Sequence, residues 1–458
     1  MSSREVPIDE FATDFGGLRR ADPRTVHRMP AAFPSALLGS GRQVTLRGAG
    51  HSCDGQTVTE NELLVTFAPE TADRQVRELG DGLVEVPAGM SWHGLERYLN
   101  RHGRAFPVLP DYLHLSVGGT LSVGGAGVDS VRYGMQVDHV ERIQLIDGTG
   151  TSRWCSRTEH PELFRFALGG LGTAGLIERA VLRTRAYHRY THVHRKPHAT
   201  LTELVEHTEH VAQRDDVDLY CAYLPQGMPF SITGWNDGNL ERCADANCRI
   251  VSDLPFSGKY DTARTAAPPP DHVRLWTDYV IPAGRLAPML AAVAAQRRQA
   301  PLNRLTMSYI LILRRPPDAP RFAFTPVGDA PVSIGLGLYT SVHRDPAVTA
   351  TTRRVFRDLL ELCCDLGGRP YLYGVNDLDD SLAERLYGTD LNRLAQIRSS
   401  YRLEHVNSHL PLVTAARHHR PDSPTEGDPA TPAFPVDAAA TPVARAAGAD
   451  RTGRSAAW

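Results

Sequence analysis

Lysine is almost missing from this chain: Lys196 and Lys259 are its only two, and arginine carries the rest of the positive charge. Lysine and arginine together number 50 against 52 acidic residues, a net charge of −2. That balance excludes the basic field through which proteins bind nucleic acid or an anionic membrane surface. The arginine bias is a codon signature of a GC-rich bacterial genome. No apolar run reaches the roughly 18 residues that a membrane-spanning helix needs. The opening residues, MSSREVPIDEFATDFGG, lack the apolar core of an export signal, so a cytoplasmic protein is expected. The seven cysteines are an odd number and fit reduced thiols better than a disulfide framework. Cys243 and Cys248 have neither zinc spacing nor a following histidine pair, so no metal is expected. Cys363 and Cys364 read as core thiols.

What the chain does have is glycine, gathered in three places. The first is RGAGHSCDGQ, residues 47–56, where the strand-like run Val44-Thr45-Leu46 ends in two glycines and a histidine. Glycine lets backbone come close to a ligand. An imidazole held at such a turn can bind metal, act as a base or be joined to a cofactor; it also fits a surface turn with an incidental histidine. The second is PDYLHLSVGGTLSVGGAGVDSVRYG, residues 110–134. No lysine follows it, so it is not a Gly-Lys-Ser phosphate loop, and no G-x-G-x-x-G stands at a strand-to-helix junction. Its exposed N–H groups, with the hydroxyls of Thr120 and Ser122, still suit an anion such as a pyrophosphate. The third is LGGLGTAGLIERA, residues 168–180. A glycine-rich domain of small loops with no ligand is the alternative.

Around these clusters the pattern is mixed. Strands are expected at Val44–Leu46, Leu63–Thr66, Leu83–Val86, Val140–Ile146 and Leu176–Arg185. Helices are expected at Trp92–His102, capped by Ser91, and at His160–Leu168, with Pro161 in its first turn. Beyond 189, proline-rich breaks (Pro255, Pro268–Pro270, Pro316–Pro317) separate helices at Arg285–Gln299 and Ala347–Leu366 from strands at Met307–Leu313 and Val332–Leu338. A last helix covers Thr389–Tyr401. His188, His192, His194 and His198 alternate with arginines and read as a solvated connector rather than a metal site. From about 416 the composition turns to Ala, Pro, Asp and Arg, as in a disordered tail. No internal repeat is found.

The order of the three clusters resembles the FAD-binding domain of the vanillyl-alcohol oxidase / p-cresol methylhydroxylase (PCMH-type) superfamily, and within it the cytokinin dehydrogenase group. The residues are Arg47-Gly48-Ala49-Gly50-His51-Ser52, Asp111-Tyr112-Leu113-His114-Leu115-Ser116-Val117-Gly118-Gly119-Thr120-Leu121-Ser122, Arg132-Tyr133-Gly134-Met135-Gln136 and Gly169-Gly170-Leu171-Gly172-Thr173-Ala174-Gly175-Leu176-Ile177. The resemblance spans residues 12–185. Residues 368–404 match weakly, through Pro370-Tyr371-Leu372 and Arg398-Ser399-Ser400-Tyr401.

The resemblance implies an α+β fold: a two-subdomain PCMH-type FAD-binding domain (1–188), an inserted antiparallel-sheet-plus-helices substrate, or cap, domain (189–372), a return to the first domain (373–415) and the tail (416–458). It implies FAD, joined covalently through His51. Cofactor contacts fall on Arg47, Gly48, Ala49, Gly50, His51, Ser52, Gln56, Asp111, Tyr112, Ser116, Gly118, Gly119, Thr120, Ser122, Gly125, Gly172, Gly175 and Ile177. The implied reaction passes hydride from a CH–NH or CH–OH group of a small molecule to flavin N5, with oxygen or a quinone-like acceptor taking the electrons onward. The substrate is a cytokinin-like amine or a secondary metabolite. Asp111 is the expected proton acceptor, a role suited to a carboxylate whose pKa burial has raised; a turn aspartate after Pro110 is the alternative. Tyr371 is a candidate pocket residue or a core tyrosine.

The chain also departs from the family. His114 stands where some relatives have a second, cysteine attachment, so at most one covalent bond is expected; Cys53 reads as packing, with a redox role as the alternative. Val123 replaces an asparagine. Arg402-Leu403-Glu404-His405 replaces an Asp-Pro ending, and the segment 189–372 carries over no substrate residue. A protein that keeps its flavin without redox turnover, as a cyclase or ligand carrier, is the alternative function.

Overall fold

The computed structural model describes residues 4–5, 11–21, 23, 25–29, 35–60, 62–67, 75–237, 248–252, 268–299, 302 and 307–418. The stretch expected to be a tail lies outside these, except for its first three positions.

Among the described residues three larger sheets carry the fold, beside a two-stranded pair of Arg104–Ala105 with Arg185–Ala186. In the first, β1 (Thr25–Met29) and β2 (Val44–Arg47) flank β3 (Leu63–Phe67) in parallel, and Arg4–Glu5 pairs with β1. Leu63, Leu64 and Val65 are all buried, as a central strand requires. The second sheet is antiparallel: Arg77–Gly80, β4 (Leu83–Pro87), then β6 (Leu176–Arg183), β5 (Val140–Ile146) and Ser152–Ser156. Helix α1 (Trp92–Arg101) starts where the Ser91 hydroxyl accepts from the Gly94 N–H at 3.1 Å. It buries Trp92, Leu95 and Leu99 at helical spacing, and the Trp92 indole N–H donates to Thr120 Oγ1 at 2.8 Å. That bond ties α1 to the short helix α2 (Val117–Leu121), which is built from the second glycine cluster.

The third sheet has eight antiparallel strands. Its centre is β7 (Leu219–Leu224), β9 (Met307–Arg314), β10 (Val332–His343) and β8 (His272–Pro282), in that spatial order. Tyr190–Pro197, Phe230–Asp237 and Cys248–Ser252 extend it on one side, Arg369–Pro370 on the other. Helix α3 (Pro346–Asp365) is started by Asp345, which accepts from the N–H groups of Ala347 and Val348. It lies on this sheet, where the Tyr279 hydroxyl donates to Phe356 O at 2.7 Å.

After α4 (Asp380–Tyr387) and α5 (Thr389–Ser400), the chain returns to the first sheet. Val44 N–H donates to His405 O, and Asn407 N–H to Val44 O, at 2.9 and 2.8 Å. Helix α6 (Pro411–His418) closes the described chain, two residues beyond where the tail is expected to start.

The expected elements from 44 to 185 are present within a few residues, and the fold is α+β. The histidine-rich connector is instead the strand Tyr190–Pro197, with His192 and His198 buried. His198 Nε2 hydrogen-bonds Ser231 Oγ at 2.9 Å, and His192 Nδ1 lies 3.5 Å from Cys248 Sγ. Among the described residues no cluster could hold a metal ion, and no helix is long and apolar enough to cross a membrane.

Candidate functional site

The first glycine turn leaves β2 and lies directly on the second cluster. A Cβ on Gly48 would fall 2.5 Å from Ser116 Oγ and 3.2 Å from Gly119 Cα, so this contact admits no side chain. Among the described residues, none accepts a hydrogen bond from the N–H of Gly48, Ala49, Gly50 or Ser52. Ser116 Oγ, in a residue only 9% exposed, has no partner either. Gly50 and Ser52 are buried, where a donor without an acceptor costs free energy unless a ligand satisfies it. Grouped in this way they suit an anion.

The third cluster completes the wall. Asn407, in the returning C-terminal segment, accepts from Leu46 N–H at 2.8 Å and donates to Leu171 O at 2.9 Å. It thereby locks β2 to the third glycine turn.

These walls enclose a cavity of about 490 Å³. Every residue expected to touch the cofactor lines it, from Arg47 to Ile177, and Tyr371 lines it too. Several of their polar groups are nonetheless spent inside the chain. Thr120 Oγ1 is taken by Trp92, and Ser122 Oγ donates to Gly118 O at 2.7 Å. Ser52 Oγ meets Thr57 Oγ1 at 3.0 Å. The Gln56 side-chain N–H groups reach the carbonyls of Leu372, Tyr373 and Gly374 at 3.1, 3.2 and 2.9 Å. The Arg47 guanidinium donates to Thr13 O and Thr57 O at 3.0 and 3.3 Å. These side chains shape the turns.

His51 is held between rings. Phe15 stacks on the imidazole at 3.7 Å and Tyr112 at 5.3 Å, while Trp276 meets it edge-on at 6.2 Å. His114 is exposed and stacks on His93. Cys53 is fully buried; burial, with Asp14 and Asp278 nearby, pushes its thiol well above the usual range. Asp111 lines the cavity but is exposed, so the burial expected to raise its pKa is not there.

That burial falls on Asp278, in the middle of β8 and 4% exposed. Burial lifts its carboxyl to about 6, against the lowering pull of hydrogen bonds donated by Tyr309 and Tyr373. With Trp276, Tyr339, Cys221 and Tyr223 these residues form the cavity's aromatic side, which sequence reasoning missed. Two signals were available: an aspartate inside the largely apolar run Leu275–Ile281, and glycines inside the strand-like run Val332–Leu338.

A family model described as an FAD-binding domain matches residues 36–156, the stretch that builds the first two glycine turns. Residues 36–156 thus carry an FAD-binding domain. Its cofactor is FAD, and the unpartnered N–H groups and Ser116 Oγ are of the kind that hold its pyrophosphate. Among curated proteins, an uncharacterized oxidoreductase in the fasciation locus of Rhodococcoides fascians is 34% identical over 40% of this chain and 42% of its own length. Cytokinin dehydrogenase 5 of Oryza sativa subsp. japonica is 34% identical over 39% of this chain and 37% of its own length. Cytokinin dehydrogenase 1 of Arabidopsis thaliana is 31% identical over 38% and 32%. The chain thus matches about two fifths or less of each relative's length.

Proposed function

We propose that the protein is an FAD-dependent oxidoreductase that oxidises a CH–NH or CH–OH group of a small molecule. One observation carries this reading: the glycine turns of the FAD-binding domain, Asp111 and the Asp278 cluster all line one cavity. The names of the matching relatives agree with it. FAD, when bound, supplies the hydride acceptor.

The chain's own residues supply the rest. The N–H groups of 48–52 and Ser116 Oγ hold the pyrophosphate. His51, fixed by Phe15 and Tyr112, is the attachment residue. Asp111 accepts the substrate's N–H or O–H proton at its carboxylate. Tyr371, which lines the cavity beside Tyr373, walls the substrate's side. Residues 1–188 and 373–415 form the FAD-binding part, and 189–372 the cap that selects substrate. The substrate class is a cytokinin-like amine or a secondary metabolite, and oxygen or a quinone-like molecule is the electron acceptor. The six described cysteines are all free, which supports a cytoplasmic location, and the lysine-poor composition supports a bacterial source.

The purified protein is expected to be yellow. Anaerobic bleaching with a panel of amines, alcohols and N6-substituted adenines then identifies the substrate class. Colourless protein that takes up no added FAD overturns the proposal. Firmly held flavin that no member of the panel bleaches favours the non-redox alternative. His51→Ala tests the attachment separately. After acid precipitation, flavin fluorescence should stay with the wild-type pellet and move to the supernatant in the variant. Fluorescence in the wild-type supernatant removes the covalent bond from the account.

A further inference from the structure

Four side chains at the aromatic end of the cavity close a ring. Tyr309 OH donates to Asp278 Oδ1, and Tyr373 OH donates to Asp278 Oδ2 at 2.6 Å. The Tyr339 hydroxyl lies 2.9 Å from the hydroxyl of Tyr309 and 2.9 Å from that of Tyr373. The fold makes this arrangement deliberate. Asp278, Gly337 and Tyr309 stand in one row across the adjacent strands β8, β10 and β9. A Cβ on Gly337 would fall 2.0 Å from the Tyr309 ring and 2.6 Å from Asp278 Oδ1. The missing side chain is what lets Tyr309 reach across β10 to the carboxylate. Tyr339 is fixed from below by Trp276, stacked at 4.0 Å and 6°.

The proton count is the telling feature. The ring has four oxygen–oxygen contacts, two to the carboxylate and two to Tyr339. With Asp278 ionised, three phenol protons serve them, so one contact faces lone pair to lone pair. A fourth proton fills every contact.

We propose that the Asp278–Tyr309–Tyr339–Tyr373 ring is a second proton acceptor in this cavity, distinct from Asp111, that binds a further O–H or N–H group of the substrate, one that Asp111 does not serve, and takes its proton as the ring's fourth. The O–H or N–H bond breaks and its electron pair stays on oxygen or nitrogen. The proton joins the ring, and the negative charge passes from ring to substrate. The inference rests on the reading of the cavity as the place where an alcohol or amine is oxidised.

Around the ring, other titratable groups hold their protons. Cys53 faces it from the first glycine turn and Tyr371 from the C-terminal crossover, while Tyr279 flanks Asp278 on β8. Burial pushes all three up, together with the ring phenols themselves. Behind Cys53 stand Asp14, itself raised to about 6, and Arg274. Within the ring, therefore, the group that titrates near neutrality is Asp278, at about 6.

The test uses phenol as an O–H donor and toluene as its counterpart of similar shape without one, with affinity measured by NMR titration on the FAD-loaded protein. Donor binding needs the ionised ring, so phenol affinity should be full above about pH 6 and fall up to tenfold per unit below it. Toluene affinity should be flat. Asp278→Asn should make phenol as flat as toluene. Tyr339→Phe, the milder change, removes both contacts of Tyr339, among them the one that lacks a proton. It should keep the dependence with its midpoint lowered by about one pH unit, a tenfold change in protonation. Phenol affinity that is equal at both ends of the range, or a dependence that survives in Asp278→Asn, overturns the ring's role. Neither result touches the flavin spectrum or the substrate-driven bleaching, so failure here and failure of the oxidoreductase reading are told apart.

Discussion

Asp111→Asn is expected to slow substrate-driven flavin bleaching by about two to four orders of magnitude while the protein keeps its FAD and its melting temperature. The range is that for removing a positioned general base, roughly 3 to 5 kcal/mol of barrier. Asp111 earns the role by position. It lines the cavity opposite β7, close enough for its charge to bear on the Cys221 thiol across the gap. Asp111 is exposed on the cavity wall rather than packed in the core. The side chains are nearly the same size, and the amide cannot take the proton. Single-turnover bleaching measures the step directly. A rate within a few-fold of wild type removes Asp111 from proton transfer and leaves the Asp278 ring as the acceptor.

Arg398→Met should destabilise the fold more than any exposed substitution. Arg398 lies in α5 and is 4% exposed. Its guanidinium donates to three backbone carbonyls: Thr173 at 2.7 Å, Leu403 at 2.6 Å and Val406 at 2.9 Å. Burial lowers its pKa to about 10, which leaves it charged at neutral pH. Methionine fills much of the volume but leaves those carbonyls unsatisfied, at about 1 to 3 kcal/mol each and not fully additive. A total loss on the order of 3 to 5 kcal/mol is expected, read as a lowered urea midpoint. Because Thr173 belongs to the third glycine turn, FAD should also be held less firmly. Arg398→Lys should recover little, since one ammonium cannot span three carbonyls as the planar fork does. An unchanged midpoint would show that the carbonyls find other partners.

The glycine turns were legible in the sequence because they are local. Strand, turn and helix signals fall within short windows, and β5 was read to the residue at Val140–Ile146. The third sheet was less so. β7 and β8 are buried on both faces and show no alternation, so period-two reading passes over Leu219–Leu224 and His272–Pro282. The ring escaped for a stronger reason. Asp278, Tyr309, Tyr339 and Tyr373 come from three strands and a crossover, and only sheet register brings them together. Asn407 was hidden likewise, since its partners Leu46 and Leu171 are hundreds of positions away in the chain. The burial expected at Asp111 is found at Asp278 instead: the turn after Pro110 leaves Asp111 exposed, while Asp278 sits among the sheet's tyrosines.

Gln56 spends its amide hydrogens on three successive carbonyls, Leu372, Tyr373 and Gly374, and the Cys53 N–H donates to Tyr373 O at 3.1 Å. The loop bearing the imidazole and the backbone bearing one ring phenol are therefore riveted together. Whatever steadies that loop steadies the tyrosine with it, and with the tyrosine one of the two hydrogen bonds that hold the Asp278 carboxylate.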